Sequence, residues 1–201
     1  MCIRDSPGGC LIGVRPVNFH LNVLRKLGMK HEIKKGYIYA NAERGLKGST
    51  IKFPQISVGA TENAMLAATL ADGKTILKNC AIEPEIKIDL TNFLNKAGAK
   101  IKWIGKRSVE VEGVKKLNSV SHSVMADRIE CGTFCVVAAI SKGQLKINGL
   151  NPKIISTEIK LLKKIGAKIK TLDQSIIIKG PNKIKNIKFL QTKEYDGFPT
   201  D

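Results

Sequence analysis

Hydrophobic residues recur with a helical period in three similar segments, RPVNFHLNVLRKLGMK, EPEIKIDLTNFLNKAGAK and NPKIISTEIKLLKKIGAK. Each sets a proline near its start and a glycine just past its end, the usual asymmetry of helix termini. In the second segment Ile86, Leu90, Phe93, Leu94 and Ala97 fall on one face, and in the third Ile154, Leu161, Leu162 and Ile165 carry the stripe. After each glycine the period drops to two, over EIKKGYIYAN, KIKWIGKRSVEVEG and KIKTLDQSIIIKG, which predicts three pairs of strands. The glycines stand at 28, 98 and 166, a spacing too long for a thin solenoid. Between them lie ENAMLAATLADG and GTFCVVAAISKG, each read as a second helix, followed by the strands KTILKN and QLKIN. The repeating unit therefore holds two helices and roughly four strands. Repeated, it builds an α/β or α+β architecture in which helices cover a neighbouring sheet.

The polar stretch NSVSHS at 118–123 reads as a linker, and Asp127-Arg128-Ile129-Glu130 as the helix cap that ends it. Asp127 and Glu130 have capping-box spacing, with Asp in place of the usual Ser or Thr. A domain boundary is expected near residue 125, giving segments 7–125 and 126–201. Residues 1–6, MCIRDS, match nothing that follows and are read as an unmatched leader. The final EYDGFPTD closes no helix or strand, so the expectation is a piece of a longer chain.

With 201 residues and 43% hydrophobic content, the chain can bury a real core. Apolar runs such as FCVVAAI are too short to cross a bilayer, and the N-terminus lacks a signal-peptide layout. A soluble, cytoplasmic protein that engages no membrane is expected. The net charge of +17 favours anionic partners. Its lysines are nevertheless scattered over every amphipathic segment, and only 5% of residues are aromatic, which argues against nucleic acid as the partner. A lysine-rich surface accounts for most of the excess. The five cysteines, Cys2, Cys10, Cys80, Cys131 and Cys135, form no CxxC pair and share no metal-ligand spacing with His20, His31 or His122. Reduced thiols are expected, with Cys131 and Cys135 as small buried residues.

Cys10 differs from the others because it follows Gly8 and Gly9 in SPGGCLIGVRPVNFHL, on a hinge rather than inside an apolar run. A cation such as Arg15 nearby favours thiolate character or gathers an anionic substrate, making Cys10 a candidate nucleophile or proton donor. A structural thiol in a turn is the other reading, and the residues alone leave both open.

Five blocks in order, PGGCLIGVRPVNFHL at 7–21, SVGATENAMLAATLADG at 57–73, EPEI at 83–86, DRIECGTF at 127–134 and FPTD at 198–201, resemble the UDP-N-acetylglucosamine 1-carboxyvinyltransferase family. The resemblance covers residues 7–201. It implies the enolpyruvyl-transferase fold: two domains, each of three small α/β units with helices inside and sheets outside, here only partly present. It also implies transfer of the enolpyruvyl group of phosphoenolpyruvate to the 3-hydroxyl of UDP-N-acetylglucosamine, with no metal and no organic cofactor.

By the same resemblance, Cys10 is the general acid toward C3 of phosphoenolpyruvate, able to form a covalent adduct, and the position that fosfomycin alkylates. Arg15 contacts phosphoenolpyruvate, and Asp201 is the base over the sugar hydroxyl. Arg15, Pro16, Val17, Asn18, Phe19 and His20 cradle the uracil. Ser57, Val58 and Gly59 precede a helix whose free N–H groups would meet the diphosphate, with Gln55 where many members have lysine. Asn18 replaces a common aspartate, Ile82 replaces an arginine before EPEI, and EPEIKIDL is one residue longer than the family pattern. The family's N-terminal Lys-Asn motif and later arginines lie outside the chain, so the piece alone is expected to be inactive. The rivals are the shikimate-pathway enolpyruvyl transferase, which lacks the cysteine loop and the RPVNFH-like segment, and a basic nucleic-acid-binding protein.

Overall fold

A computed structural model describes the backbone of residues 9–10 and 13–14 and, with side chains, residues 17–198. The chain divides into two compact units, Met1–His122 and Ser123–Asp201. In the first, β1 (Gly9–Cys10) and β2 (Gly13–Val14) precede α1 (Asn18–Lys26) and the hairpin of β3 (Lys30–Lys34) and β4 (Tyr37–Asn41). Then come β5 (Thr50–Lys52), α2 (Val58–Thr69) and β6 (Lys74–Lys78). A π-helical turn, Glu85–Leu90, runs into α3 (Thr91–Lys96), which is followed by β7 (Lys100–Gly105) and β8 (Ser108–Glu112). The sheet order is β5-β6-β8-β7, with β5 and β6 parallel and the other neighbours antiparallel. Helix α2 is the crossover that parallel strands require. Residues 50–112 thus contain the expected unit of two helices and four strands.

The second unit holds α4 (Arg128–Ile140), β9 (Gln144–Asn148), a 3-10 turn (Pro152–Ile155), α5 (Ser156–Lys164), β10 (Lys168–Leu172) and β11 (Ser175–Lys179). Its sheet is antiparallel, in the order β10-β11-β9.

The repeat is visible at atomic level in the three glycines. Gly28, Gly98 and Gly166 have φ of +103°, +100° and +105°. Each donates its N–H to the carbonyl three residues back, on Arg25, Asn95 and Lys163, at 3.0 Å. The next residue, Met29, Ala99 or Ala167, donates to the carbonyl five back. This paired closure of a helix end needs a left-handed residue, and glycine adopts that conformation without a Cβ penalty.

A second repeated device closes each sheet against a helix. Gly113 follows β8 and donates to the Gly73 carbonyl at 2.9 Å; Gly180 follows β11 and donates to the Gly143 carbonyl at 2.8 Å. A methyl group on Gly113 would sit 1.6 Å from the Ala71 carbonyl oxygen, and one on Gly180 2.3 Å from that of Ala138. Only glycine lets the backbones meet there.

The hydrophobic stripes need two corrections. In the second segment Ile86, Leu94 and Ala97 are buried, Leu90 packs at the core's margin, and Phe93 is 37% exposed. The reason is the π turn, in which the Thr91 N–H bonds the Ile86 carbonyl five residues back. A one-residue insertion into a helix is absorbed this way, and it rotates the residues that follow. In the third segment the core positions are Ile155, Ile159 and Leu162, while Ile154 and Ile165 pack beside them. The 3-10 turn that opens this segment shifts the buried face by one residue.

In the first unit the core gathers Val23 of α1 and Leu27 at its C-cap, Met65 of α2, Leu77 of β6 and Val109 and Val111 of β8. Strand β8 alternates as a half-buried strand should: Glu110 and Glu112 face outward, to Lys74 at 3.2 Å and Lys100 at 2.6 Å. In the second unit Cys131, Cys135, Ile155, Leu162, Ile176 and Ile178 form a separate core.

Candidate functional site

The amino end of α2 is built from small residues on a braced connection. Phe53 is buried, and its N–H bonds the Lys78 carbonyl while its carbonyl accepts from Asn79 Nδ2. Thr61 is tied at both ends of its hydroxyl, donating to the Ser57 carbonyl at 2.7 Å and accepting from the Ala81 N–H at 3.0 Å. Ser57 is the N-cap, in extended conformation, and its Oγ accepts from the Ala60 N–H at a long 3.4 Å. Val58 and Gly59 are the first two helical residues rather than residues ahead of the helix, so their N–H groups have no carbonyl one turn back. The first turn carries no acidic side chain. This end keeps the partial positive charge of a helix N-terminus.

His20, in the first turn of α1, reaches across to this place. A methyl group on Gly59 would lie 3.3 Å from Cε1 and 3.5 Å from Nε2 of the His20 ring. Asn63, one turn further along α2, places Nδ2 2.9 Å from His20 Nδ1. The structure therefore sets His20 beside Gly59, at the end of α2 that Ser57 and Val58 open. Val17 is the N-cap of α1 and gives no side-chain cap, Asn18 is exposed, and Gln55 is exposed on the connection before α2. A hollow of about 250 Å³ opens between α1 and residues 51–54, with Phe19 and Pro54 on its walls and Lys26 and Lys52 beside them.

Cys10 is described by its backbone alone: it is the last residue of β1 and pairs with Gly13 across the hairpin. Its side chain, and Arg15, Pro16 and Asp201, lie outside the described residues.

Three features lay beyond sequence reasoning. Asn63 is one, because nothing in TEN marks it as a partner of a residue on another helix. A second is a group of carboxylates: burial first, then Glu85 and Glu83, hold the Glu62 carboxyl above its ordinary range. Glu83 is itself buried, and its Oε2 has no hydrogen-bond partner among the described residues. The third is His122, whose Nε2 lies 2.9 Å from Asp89 Oδ1, with its ring against Phe93.

In the second unit Asp127 is the cap that its spacing suggested, accepting from the Ile129 and Glu130 N–H groups at 2.7 and 3.2 Å. Cys131 and Cys135 are buried as expected. The hydrogen bond they share, and then burial, push the Cys131 thiol above its ordinary range. Burial pushes Cys80 up to about 12, which leaves it a poor nucleophile. Among the described residues, no group of three or more His, Cys, Asp or Glu could hold a metal ion, and no helix is long and apolar enough to cross a membrane.

The family model of EPSP synthase (3-phosphoshikimate 1-carboxyvinyltransferase) matches residues 6–201. A protein of Pelagibacter ubique named UDP-N-acetylglucosamine 1-carboxyvinyltransferase is 58% identical over 97% of this chain and 46% of its own length. One of the same name from Caulobacter sp. is 46% identical over 97% of this chain and 45% of its own. The chain thus spans about half the length of the curated relatives it matches. Among solved structures, the enolpyruvyl transferase NikO from Streptomyces tendae superposes with a TM-score of 0.79 at 20% identity, over 92% of this chain and 46% of that one. EPSP synthase from Acinetobacter baumannii does so with a TM-score of 0.63 at 24% identity, over 86% and 41%. These likenesses give the expected enolpyruvyl-transferase fold, present in part. With the glycine-closed repeats and the family match over nearly the whole chain, the protein belongs to the EPSP synthase (3-phosphoshikimate 1-carboxyvinyltransferase) family, among whose members it is similar to those named UDP-N-acetylglucosamine 1-carboxyvinyltransferase.

Proposed function

We infer that the protein carrying this chain transfers the enolpyruvyl group of phosphoenolpyruvate to the 3-hydroxyl of UDP-N-acetylglucosamine, releasing phosphate. This is the committing step of peptidoglycan synthesis, and the reading places it in the cytoplasm. The observation that carries it is the 58% identity over 97% of the chain to a relative of that name. The acid-free amino end of α2 supports it as a seat for the nucleotide's diphosphate, and His20, set over Gly59, faces that seat in this reading rather than the uracil.

In this reading Asp201 takes the proton of the sugar hydroxyl as its oxygen adds to C2 of phosphoenolpyruvate, and Cys10 gives a proton to C3. Arg15 holds the anionic substrate. The tetrahedral adduct then loses a proton from C3 as the C2–O bond to phosphate breaks, leaving the enol ether. No net oxidation or reduction occurs, and no cofactor is part of the reading. The partners are the two small substrates, not nucleic acid and not a membrane, and the remaining phosphoenolpyruvate contacts come from segments outside this chain.

The test is phosphate release from phosphoenolpyruvate by the full-length protein, with Cys10→Ala alongside. Release that depends on UDP-N-acetylglucosamine and falls by about a hundredfold or more in the variant is expected, since general acid catalysis contributes on that order. Release driven by shikimate 3-phosphate instead would move the protein to the other branch of its family.

A further inference from the structure

We propose that Asn63 is a positioning residue that fixes which nitrogen of His20 carries the ring proton, so that His20 presents a neutral N–H donor at the amino end of α2. The proposal rests on the reading above, in which that end holds a diphosphate.

An amide nitrogen can only donate a hydrogen bond. With Asn63 Nδ2 2.9 Å from His20 Nδ1, Nδ1 must therefore accept, and in the neutral ring the proton resides on Nε2. Nε2 is the nitrogen that lies over Gly59, 3.5 Å from where a Cβ would stand. The donor is thus set beside Gly59 at the start of α2, where the N–H groups of Val58 and Gly59 lack intrahelical acceptors. A phosphate oxygen is the acceptor that such a helix start and an added N–H donor suit. The other tautomer would turn a lone pair toward the same oxygen and repel it. Glycine at 59 fits this arrangement, because a side chain there would push the ring away. Helix α2 itself contributes one ionisable group, Glu62, whose interacting neighbours are Glu83 and Glu85, while α1 contributes Arg25 and Lys26.

Nitrogen-15 NMR of the full-length protein labelled at histidine reads the tautomer directly. His20 is assigned by its loss in His20→Gln, and spectra are taken on the alkaline plateau, where raising the pH further no longer changes them. The expected result is a protonated Nε2 and a bare Nδ1. Protonated Nδ1 in the wild type overturns the proposal, with or without any variant that folds.

Asn63→Asp supplies the functional arm. A carboxylate accepts from Nδ1–H, so in the same alkaline spectra the ring proton should move to Nδ1 and leave Nε2 a bare acceptor. The KM for UDP-N-acetylglucosamine at that pH should rise about tenfold over the wild type, the scale of one hydrogen bond to a charged group, with kcat little changed. A variant whose ring keeps its proton on Nε2, or whose tautomer switches with no change in KM, overturns the proposal. Should the wild type not use UDP-N-acetylglucosamine, the proposed activity fails while the NMR measurement still decides the tautomer.

Discussion

Helices α2 and α4 occupy the same place in successive repeats, and they agree at one end and differ at the other. At their carboxyl ends the architecture is shared: a glycine after the last hairpin strand, Gly113 or Gly180, lies against the helix end and bonds back to Gly73 or Gly143. At their amino ends Ser57 and Asp127 hold equivalent positions with opposite electrostatic consequences. Asp127 neutralises its helix end, accepting two N–H groups, and Glu130 adds a second carboxylate to the first turn. Ser57 makes one long bond, and no acid follows it. The carboxyl ends are scaffold and so must match, whereas the amino ends are free to diverge, and the one left positive can bind an anion.

The largest effects should come from the shared end. Gly113→Ala should cost about 3 kcal/mol or more and Gly180→Ala somewhat less, because the added methyl meets a carbonyl oxygen at 1.6 Å in the first and 2.3 Å in the second. Trp103, the single tryptophan, sits on β7 of the first unit. Its fluorescence in a denaturant titration should report an earlier midpoint for Gly113→Ala and little change for Gly180→Ala. Equal shifts would mean that the two closures are not independent.

The divergent end is probed by giving α2 the acidic start of α4. Ser57→Asp combined with Val58→Glu, both at solvent-accessible positions, should weaken UDP-N-acetylglucosamine binding to the full-length protein about a hundredfold, as two charges act on one anion site. The thermal midpoint should hold or rise, since acids suit a helix start. Unchanged affinity in calorimetry would remove α2 as the diphosphate seat.

The smallest effect belongs to Glu62, the acid that α2 carries beyond its first turn. Its folded-state carboxyl is held above the ordinary range by burial and by Glu85 and Glu83, so folding favours the protonated form. Stability from this group is complete below the unfolded carboxyl's titration and is lost as pH rises through the raised folded value. Glu62→Gln should therefore leave the melting temperature unchanged at pH 4 and raise it at pH 7. Solvent screening at this half-exposed site keeps the gain small. A gain of the same size at both pH values would show that charge is not its source.

How far the sequence reveals the protein depends on the distance over which each feature acts. The helix-ending glycines at 28, 98 and 166 were legible because the left-handed turn involves only neighbouring residues. So were the three strand pairs and the Asp127 cap. The stripes on the second and third segments were misread where a π turn and a 3-10 turn change the number of residues per turn, because a hydrophobic pattern presumes one fixed period. At the site, Ser57, Val58, Gly59 and His20 were named from a resemblance that says nothing of why they meet.

Local chemistry written along the chain decided the repeat, its turns and its caps, since each is satisfied by atoms a few residues apart. Packing alone decided the pairs that span it, His20 with Asn63 at a separation of 43 residues and Asp89 with His122 at 33. A side chain has no preference in the linear sequence for a partner so distant. It acquires one only when the segments that carry the two residues are brought together by burying apolar surface.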